Sequence, residues 1–440
     1  MKLLTFRGGV HPLSRKEMTG GLPIRPAALP PLVRIPLAQN AGTPPRPVVK
    51  EGERVRTGEM IAEPEGRVSV PLHASISGTV KAIGEFSVPH GGTGTAIEIE
   101  GDGKDERAWG GGAPDPFSAA GKEIVERIRL AGIVGMGGAE FPAHIKLSPP
   151  PGKKIESVII NGAECEPYLT ADHRLMVERA NDVVAGARLM MKAAGVARAY
   201  IGIEADKGDA FDAIAAAAAG VGGIRPVMLK VKYPQGAEKQ LIAAILGRQV
   251  PPGGLPADVG TVVQNVGTAV AVWEAVSAGK PLYERVVTVS GRGVKEPGNW
   301  LARIGTPLGE LVAQSGGLTP DAAMVVMGGP MMGVAQWTLD VPVVKGTSGI
   351  IALTEGESIA EEPRPCIRCG RCLTICPMGL SPALIRQAVE NEKWERAGEL
   401  GVGDCMECGA CTFVCTSGRD QVQGYRRAKL ELAKKGVGRG

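Results

Sequence analysis

Aromatic side chains are scarce in this chain of 440 residues: six Phe, five Tyr and five Trp, 4% of the total. Proteins that hold single-stranded nucleic acid stack its bases on aromatic platforms, so the scarcity argues against that partner. Charge argues the same way, because 50 Lys and Arg against 46 Asp and Glu leave a formal net charge of only +4. No stretch approaches the run of about eighteen uninterrupted apolar residues that a membrane-crossing helix requires. The opening MKLLTFRGGVHP also lacks the apolar core of a signal peptide. The expectation is a protein that binds no nucleic acid and does not cross a membrane by itself.

Cysteine is nearly absent until residue 366, and eight of the nine then crowd into residues 366–415. Cys366, Cys369, Cys372 and Cys376 are answered by Cys405, Cys408, Cys411 and Cys415 at the same spacing, C-x2-C-x2-C-x3-C written twice. Thiolates two residues apart on a tight turn grip three corners of an iron-sulfur cube, while the fourth, after a longer gap, reaches the neighbouring cluster. Two 4Fe-4S clusters with crossed ligation follow. Cys366, Cys369, Cys372 and Cys415 hold one, and Cys405, Cys408, Cys411 and Cys376 the other. The alternatives are zinc ribbons and disulfides, but structural zinc takes two ligand pairs with a long spacer, and each triple here offers one thiolate too many. Such thiolates must meet iron before they meet each other, which points to a reducing, cytoplasmic setting. Only the first quartet is followed by proline, Pro377, where the second has Thr416.

At about 150 residues per domain the length suggests roughly three domains, with small ones possible at the ends. Hydrophobic content of 44% and charged content of 22% are ordinary for a globular protein. Residues 1–110 alternate short apolar runs with Gly and Pro and show little helical periodicity, so they form a small β module. Within it, VVKEGERVRTGEMIAEPEG and VPLHASISGTVKAI resemble the barrel-sandwich fold of biotinyl and lipoyl carriers, but Gly66 and Arg67 stand where a carrier has its lysine. A docking or structural role is expected there. After a glycine-rich spacer, a helix is expected in KEIVERIRLAG. Strands follow at 157–160, 199–203 and 227–233, and helices at 182–194, 207–219 and 238–246. That alternation is the signature of a buried parallel sheet, which holds ligands at the carboxyl ends of its strands.

Several stretches flank that position. GIVGMGGAEFPAHIK sets Gly132, Gly135, Gly137 and Gly138 ahead of Lys146, so backbone amides can approach a phosphate and a cation can neutralise it. It follows a helix rather than a strand, so it is not the dinucleotide fingerprint. NGAECEP follows the first strand and offers an amide and two carboxylates, suited to a ribityl chain, a ribose or a ring edge, or simply to capping a helix. Cys165 reads as a small buried hydrophobe. YPQGAEKQLI sets Gly236 before Glu238 at a helix start, and VVQNVGTAVAV brings Gln264, Asn265 and Thr268 onto one segment.

Taken with GGLPADVGTVVQNVGT, MGGPMMG and the FRGGVHP opening, these motifs make the chain resemble the RnfC family, a component of the Rnf electron transport complex, over nearly its whole length. The loop and the NGAECEP segment are also similar to the flavin subunit of type-I NADH dehydrogenase. The resemblance implies a multidomain α/β protein. An N-terminal β barrel-sandwich module (1–110) precedes a Rossmann-like FMN- and NADH-binding domain (115–280). A β-grasp module (283–336) and an α-helical ferredoxin domain with two 4Fe-4S clusters (360–440) complete it. It further implies that Gly135, Gly137, Gly138, Lys146, Asn161, Glu164, Gln264, Asn265 and Thr268 surround the flavin, with Gly236 beside them, while Phe141, Glu166 and Glu238 lie nearer the nicotinamide nucleotide. Glu164, Glu166 and Phe141 are the expected catalytic set. Partners would be the other members of the complex, including a ferredoxin-like one and integral membrane ones, on the cytoplasmic side of the membrane.

Three departures stand out. Glu140 replaces a glycine and is expected to crowd the flavin edge, and Ala163 and Ala237 replace acidic residues of the dehydrogenase. Two other readings remain: a relative of the cobalamin reductase of propanediol-degrading microcompartments, in which the barrel module follows the clusters, and an electron-wire protein with a degenerate flavin pocket. Between the quartets, SPALIRQAVENEKWERAGEL is expected to form one helix, with Ser381 as its cap, Pro382 at its first position and Gly401 just past its end. A basic helix should follow in the tail, which has seven basic and two acidic residues from Ser417 onward.

Overall fold

The short apolar runs of the central segment pair as one parallel sheet, in the spatial order Ile224–Leu229, Ala199–Glu204, Ser157–Gly162, Thr261–Asn265. The computed structural model describes residues 3–89, 91–149, 152–358 and 362–435. Val158, Ile160 and Ile201 pack on one face against Val183, Ala187, Ile214 and Val270 of the crossover helices, and Ile159 and Val263 pack on the other against Leu241 and Ile242. Both faces are covered, so the strands carry no alternating polar pattern. Asn161 and Asn265 are register partners at the same sheet edge. The sequence therefore delivers both amides to one place without any long-range coincidence.

Two elements depart from expectation. The third strand is Ile224–Leu229 rather than 227–233, because the chain beyond Leu229 is claimed by the opening segment: Lys230 N donates to Leu4 O at 2.9 Å, and Val10 pairs with Tyr233. A further helix, Ala171–Glu178, follows the NGAECEP loop.

The N-terminal module is two small antiparallel sheets around Val33, Ile35, Ile61, Ile97 and Ile99. The β-grasp region reaches past 283–336 on both sides. Its six-stranded sheet takes Ile24–Pro26 at one edge and Gly349–Thr354 within. In the last module the single helix expected between the quartets is two, Pro382–Glu390 and Trp394–Glu399. The break comes at Glu392, in the left-handed region at φ 52. It lets Trp394 turn inward to pack with Ile385, Ala397 and Tyr425, which a straight helix would forbid. The basic helix is Val422–Lys434. No helix among the described residues is long and apolar enough to cross a membrane.

Candidate functional site

A cavity of about 320 Å³ opens at the carboxyl edge of the parallel sheet, within the range of small-ligand sites. Its floor is the glycine-rich loop. Gly135 N donates to Phe141 O at 2.9 Å and Glu140 N to Gly135 O at 3.2 Å, closing the loop on itself. Gly135, Gly137 and Phe141 line the cavity. Gly138, at φ +100, stands off it with open space around it. Thr268 lies behind the loop, fully buried, and its hydroxyl accepts from Met136 N at 2.9 Å and reaches Val134 O at 3.3 Å. It anchors the floor rather than lining it.

Asn161, Glu164 and Glu166 all reach the cavity wall. Asn161 Nδ2 donates to Gly236 O at 2.7 Å, which fixes the loop bearing Gly236 across the opening. The carboxylate of Glu164 also accepts from Asp172 N (2.7 Å) and His173 N (3.1 Å), capping the helix Ala171–Glu178. The buried Lys16 ammonium gathers the carbonyls of Glu164 and Glu166 at 2.8 Å each and so holds the loop shut from behind. Glu166 accepts from Met331 N at 3.0 Å, and burial pushes its carboxyl up to about 7. Cys165 takes a hydrogen bond from Gly236 N at 3.3 Å, and desolvation raises its thiol well above the usual range, which suits an inert packing residue.

On the facing wall Lys146 and Glu238, expected on different ligands, sit on each other. The ammonium bonds Glu238 Oε1 at 2.6 Å and Val263 O at 3.2 Å. Gln264 reaches Ala143 O with its amide nitrogen, at 3.5 Å, while its Oε1 is buried without a partner, an acceptor available to a ligand N–H or O–H. Next to it, Asn265 accepts from Gly267 N at 2.7 Å and donates to Asp172 Oδ2 at 2.6 Å. A glycine floor that admits close approach, a lysine on the wall and an orphaned acceptor around one cavity are groups a flavin mononucleotide needs, so the residues present fit that group.

Two cavity residues were not foreseen. Asp172 presents a buried carboxylate that burial, then the neighbouring Glu164, pushes up to about 7. Tyr233 lines the cavity and donates its hydroxyl to Cys408 O at 2.7 Å. Tyr233 opens the YPQGAEKQLI motif and Asp172 lies five residues past NGAECEP, but nothing in local spacing says that they face a ligand. The crowding expected from Glu140 does not occur. At φ 49 its side chain turns out of the cavity wall onto Gly346, toward the buried cations Lys345 and Arg285. Its carbonyl accepts from Ala41 N at 3.0 Å, so the residue ties the loop to its neighbouring modules.

The eight cluster cysteines fall into two groups. Cys366, Cys369, Cys372 and Cys415 line one cavity, and Cys376, Cys405, Cys408 and Cys411 line another. The electrostatics agree: Cys372 feels Cys366, Cys369 and Cys415, whereas Cys405, Cys408 and Cys411 each feel Cys376. The fourth cysteine of each run thus stands with the opposite triple. No three His, Cys, Asp or Glu side chains among the described residues converge as ligands of a single ion would. Four thiols set around a cavity suit a cube instead. The inner group, with Cys376, adjoins the flavin cavity, since Met406 lines both cavities. The outer group, with Cys415, faces solvent.

A glycine-floored cavity at a parallel sheet edge, joined to a two-cluster cysteine module, defines the class of flavin and iron-sulfur electron-transfer proteins. Family models match along the chain in the same order: the RnfC barrel sandwich hybrid domain over residues 4–104, the Nuo51 FMN-binding domain over 128–274, the SLBB domain over 286–335 and a 4Fe-4S dicluster domain over 358–416. FMN and 4Fe-4S clusters are accordingly its cofactors. The chain is 48% identical to the C subunit of the proton-translocating ferredoxin:NAD(+) oxidoreductase complex of Clostridium ljungdahlii, covering 90% of this chain and 87% of that one. It is 45% identical to the counterpart from the Na(+)-translocating complex of Acetobacterium woodii, over 97% of each. Against the counterpart from the ion-translocating oxidoreductase complex of Rhodobacter capsulatus it is 41% identical, over 99% of this chain and 84% of that one. The chain belongs to this RnfC family of the ion-translocating oxidoreductase complexes. A crystal structure of an NAD+-reducing nickel-iron hydrogenase in its air-oxidized state shares the fold at a TM-score of 0.53 and 19% identity, over 73% of this chain and 67% of that one.

Proposed function

We propose that this protein is where NAD(H) exchanges electrons with an ion-translocating ferredoxin:NAD oxidoreductase complex, as the names of its relatives suggest. FMN, when bound, supplies the conversion between a hydride, two electrons at once, and the single electrons that iron-sulfur clusters carry. The chain supplies binding and orientation. Gly137 and Lys146 would hold the phosphate end over the floor that Gly135 shapes, and Asn161, Gln264 and Asn265 the polar edge of the flavin. Phe141, Glu166 and Glu238 would bound the nicotinamide side, and Glu166 and Asp172 can hold a proton close to neutral pH. Cys376, Cys405, Cys408 and Cys411 would bind the cluster nearer the flavin, and Cys366, Cys369, Cys372 and Cys415 the one at the surface.

The observation that carries this reading is continuity. Tyr233 lines the flavin cavity and hydrogen-bonds the backbone of Cys408, so the two redox sites share a wall. The side chain of Glu140, turned away, leaves the cavity clear and weighs against a degenerate pocket. Partners would be the remaining members of the complex, a ferredoxin-like one and integral membrane ones among them, with this chain peripheral on the cytoplasmic face. Anaerobically purified protein should contain about eight irons, the content of two 4Fe-4S clusters, and one flavin. NADH should bleach both chromophores. Iron without flavin after reconstitution would leave only the electron-wire reading.

A further inference from the structure

Neither flavin binding nor iron ligation gives a role to the opening FRGGVHP segment, yet it packs both on the peptide of Cys376 and on Tyr233, which lines the flavin cavity. Gly9 N donates to Ile375 O at 2.8 Å, and Val10 exchanges a pair of backbone hydrogen bonds with Tyr233, each 2.8 Å. Gly8 lies over the peptide of Cys376. A Cβ there would come within 2.8 Å of Ile375 O and 3.1 Å of Cys376 O, and one at Gly9 would come within 2.6 Å of Tyr233 O. Both glycines hold φ near +80°, at +83 and +82, so a side chain is opposed by backbone strain as well as by contact. Val10, Tyr233, Cys408 and Ala410 form one buried cluster, with Ile375 and Met406 packed against it. The segment thus touches the peptide that bears Cys376 directly and the peptide that bears Cys408 through the Tyr233 hydroxyl. Those are two of the four inner thiols, from two distant stretches of chain.

We infer that Gly8–Val10 and Tyr233 form a latch that seats the inner cysteine quartet against the flavin cavity and sets the separation between the two redox groups. The inference rests on the flavin-to-cluster reading given above. Nothing in the latch is oxidised or reduced. With both groups bound, one electron would pass from the reduced flavin to the oxidised inner cluster, and Gly8–Val10 and Tyr233 would only hold the residues around donor and acceptor at a fixed separation, on which such transfer depends steeply. The paired glycines are required because any bulkier residue would meet the Cys376 peptide at position 8 or the Tyr233 backbone at position 9.

The test uses the full chain loaded with iron and flavin, and the variants Gly9→Val and Tyr233→Phe. Flash photoreduction of the flavin, followed by bleaching of the clusters, reads the internal transfer without NADH. Gly9→Val should keep wild-type iron and flavin and the same yield of photoreduced flavin, yet bleach the clusters slower by about tenfold or more, the scale of loss that small misplacements cause. Its inner-cluster electron paramagnetic resonance signal should change while the outer one does not. Tyr233→Phe, lacking one hydroxyl, should slow transfer by about twofold to fivefold. Wild-type transfer rates in both variants, with cofactors intact, overturn the latch. If Gly9→Val loses iron, Tyr233→Phe decides: an unchanged rate overturns the latch and a slowed one supports it. A wild-type chain that bleaches after the flash but not with NADH overturns the NADH reading and leaves the latch standing. One that holds iron and no flavin overturns both.

Discussion

In the inner cysteine group Cys408 and Cys411 are 7% and 8% exposed and are roofed by Tyr425 and the opening segment, whereas in the outer group Cys366 and Cys369 are exposed and Ile367 beside them is 69% exposed. The two groups use the same ligand spacing. Their surroundings, not their ligands, separate them: Cys411 packs with Tyr425 and Cys408 with Val10 and Ala410, while Cys366 and Cys369 of the outer group stand open to solvent. A buried thiolate is costly without a cation to share its charge. The inner group is thus enclosed beside the flavin cavity, and the outer one lies open to solvent.

The largest effect that tests this contrast comes from the crossed fourth ligands. Cys415→Ser should abolish the outer cluster, halving the iron and removing its signal from the reduced protein, while the inner cluster persists. Cys376→Ser should do the reverse. Loss of the inner signal in Cys415→Ser would mean that each run serves its own cluster, against the grouping of the thiols around the two cavities. Next in size is the response to an iron chelator under mild oxidation. The outer cluster should be lost first, with loss of the inner one following much later, read from the two signals in a time course. Simultaneous loss would show that exposure does not govern access.

These contrasts were only half legible in the sequence. The cluster type and the grouping of each fourth thiol with the opposite triple could be read from the spacing of eight cysteines, and the parallel sheet could be read because each crossover helix covers its own strand. Which group is buried could not. That depends on Gly8 and Tyr233, about 225 residues apart in a chain whose modules dock through them. Glu164 was legible as either a flavin contact or a cap, and it caps a helix that periodicity did not reveal. For Glu140 the residue type pointed to crowding, but its direction is set by the left-handed backbone and by Lys345, which arrives from another module.

On the flavin side, Lys146→Ala should weaken FMN retention by roughly tenfold, the consequence of removing the cation of a half-buried, hydrogen-bonded charge pair on the cavity wall. Equilibrium dialysis of the flavin reads it. Cluster absorption should stay unchanged, and an equal loss of iron would mark Lys146 as structural. Glu164→Ala should differ in kind. It removes a helix cap worth about 1 kcal/mol, so it should lower Tm together with flavin retention.

The smallest effect separates the cavity from the outer quartet by pH. Burial raises Glu166 from 4.5 to about 7, so in the folded chain it binds a proton that the unfolded chain has already released between those values. Its contribution to stability is therefore complete below about pH 4.5 and is lost as pH rises through about 7. Flavin-free protein should lose stability over that interval, and Glu166→Gln, which keeps an acceptor for Met331 N but cannot ionise, should lose less, by about 1–2 kcal/mol. Tm measured across the interval for both proteins reads the difference. The variant should leave the iron content and the outer-cluster signal untouched, because Glu166 reaches toward the cysteine module through Tyr233 and Met331, on the inner side. Parallel pH profiles for wild type and variant would show that the Glu166 carboxylate keeps its charge in the fold and that the inner wall is wetter than its burial implies.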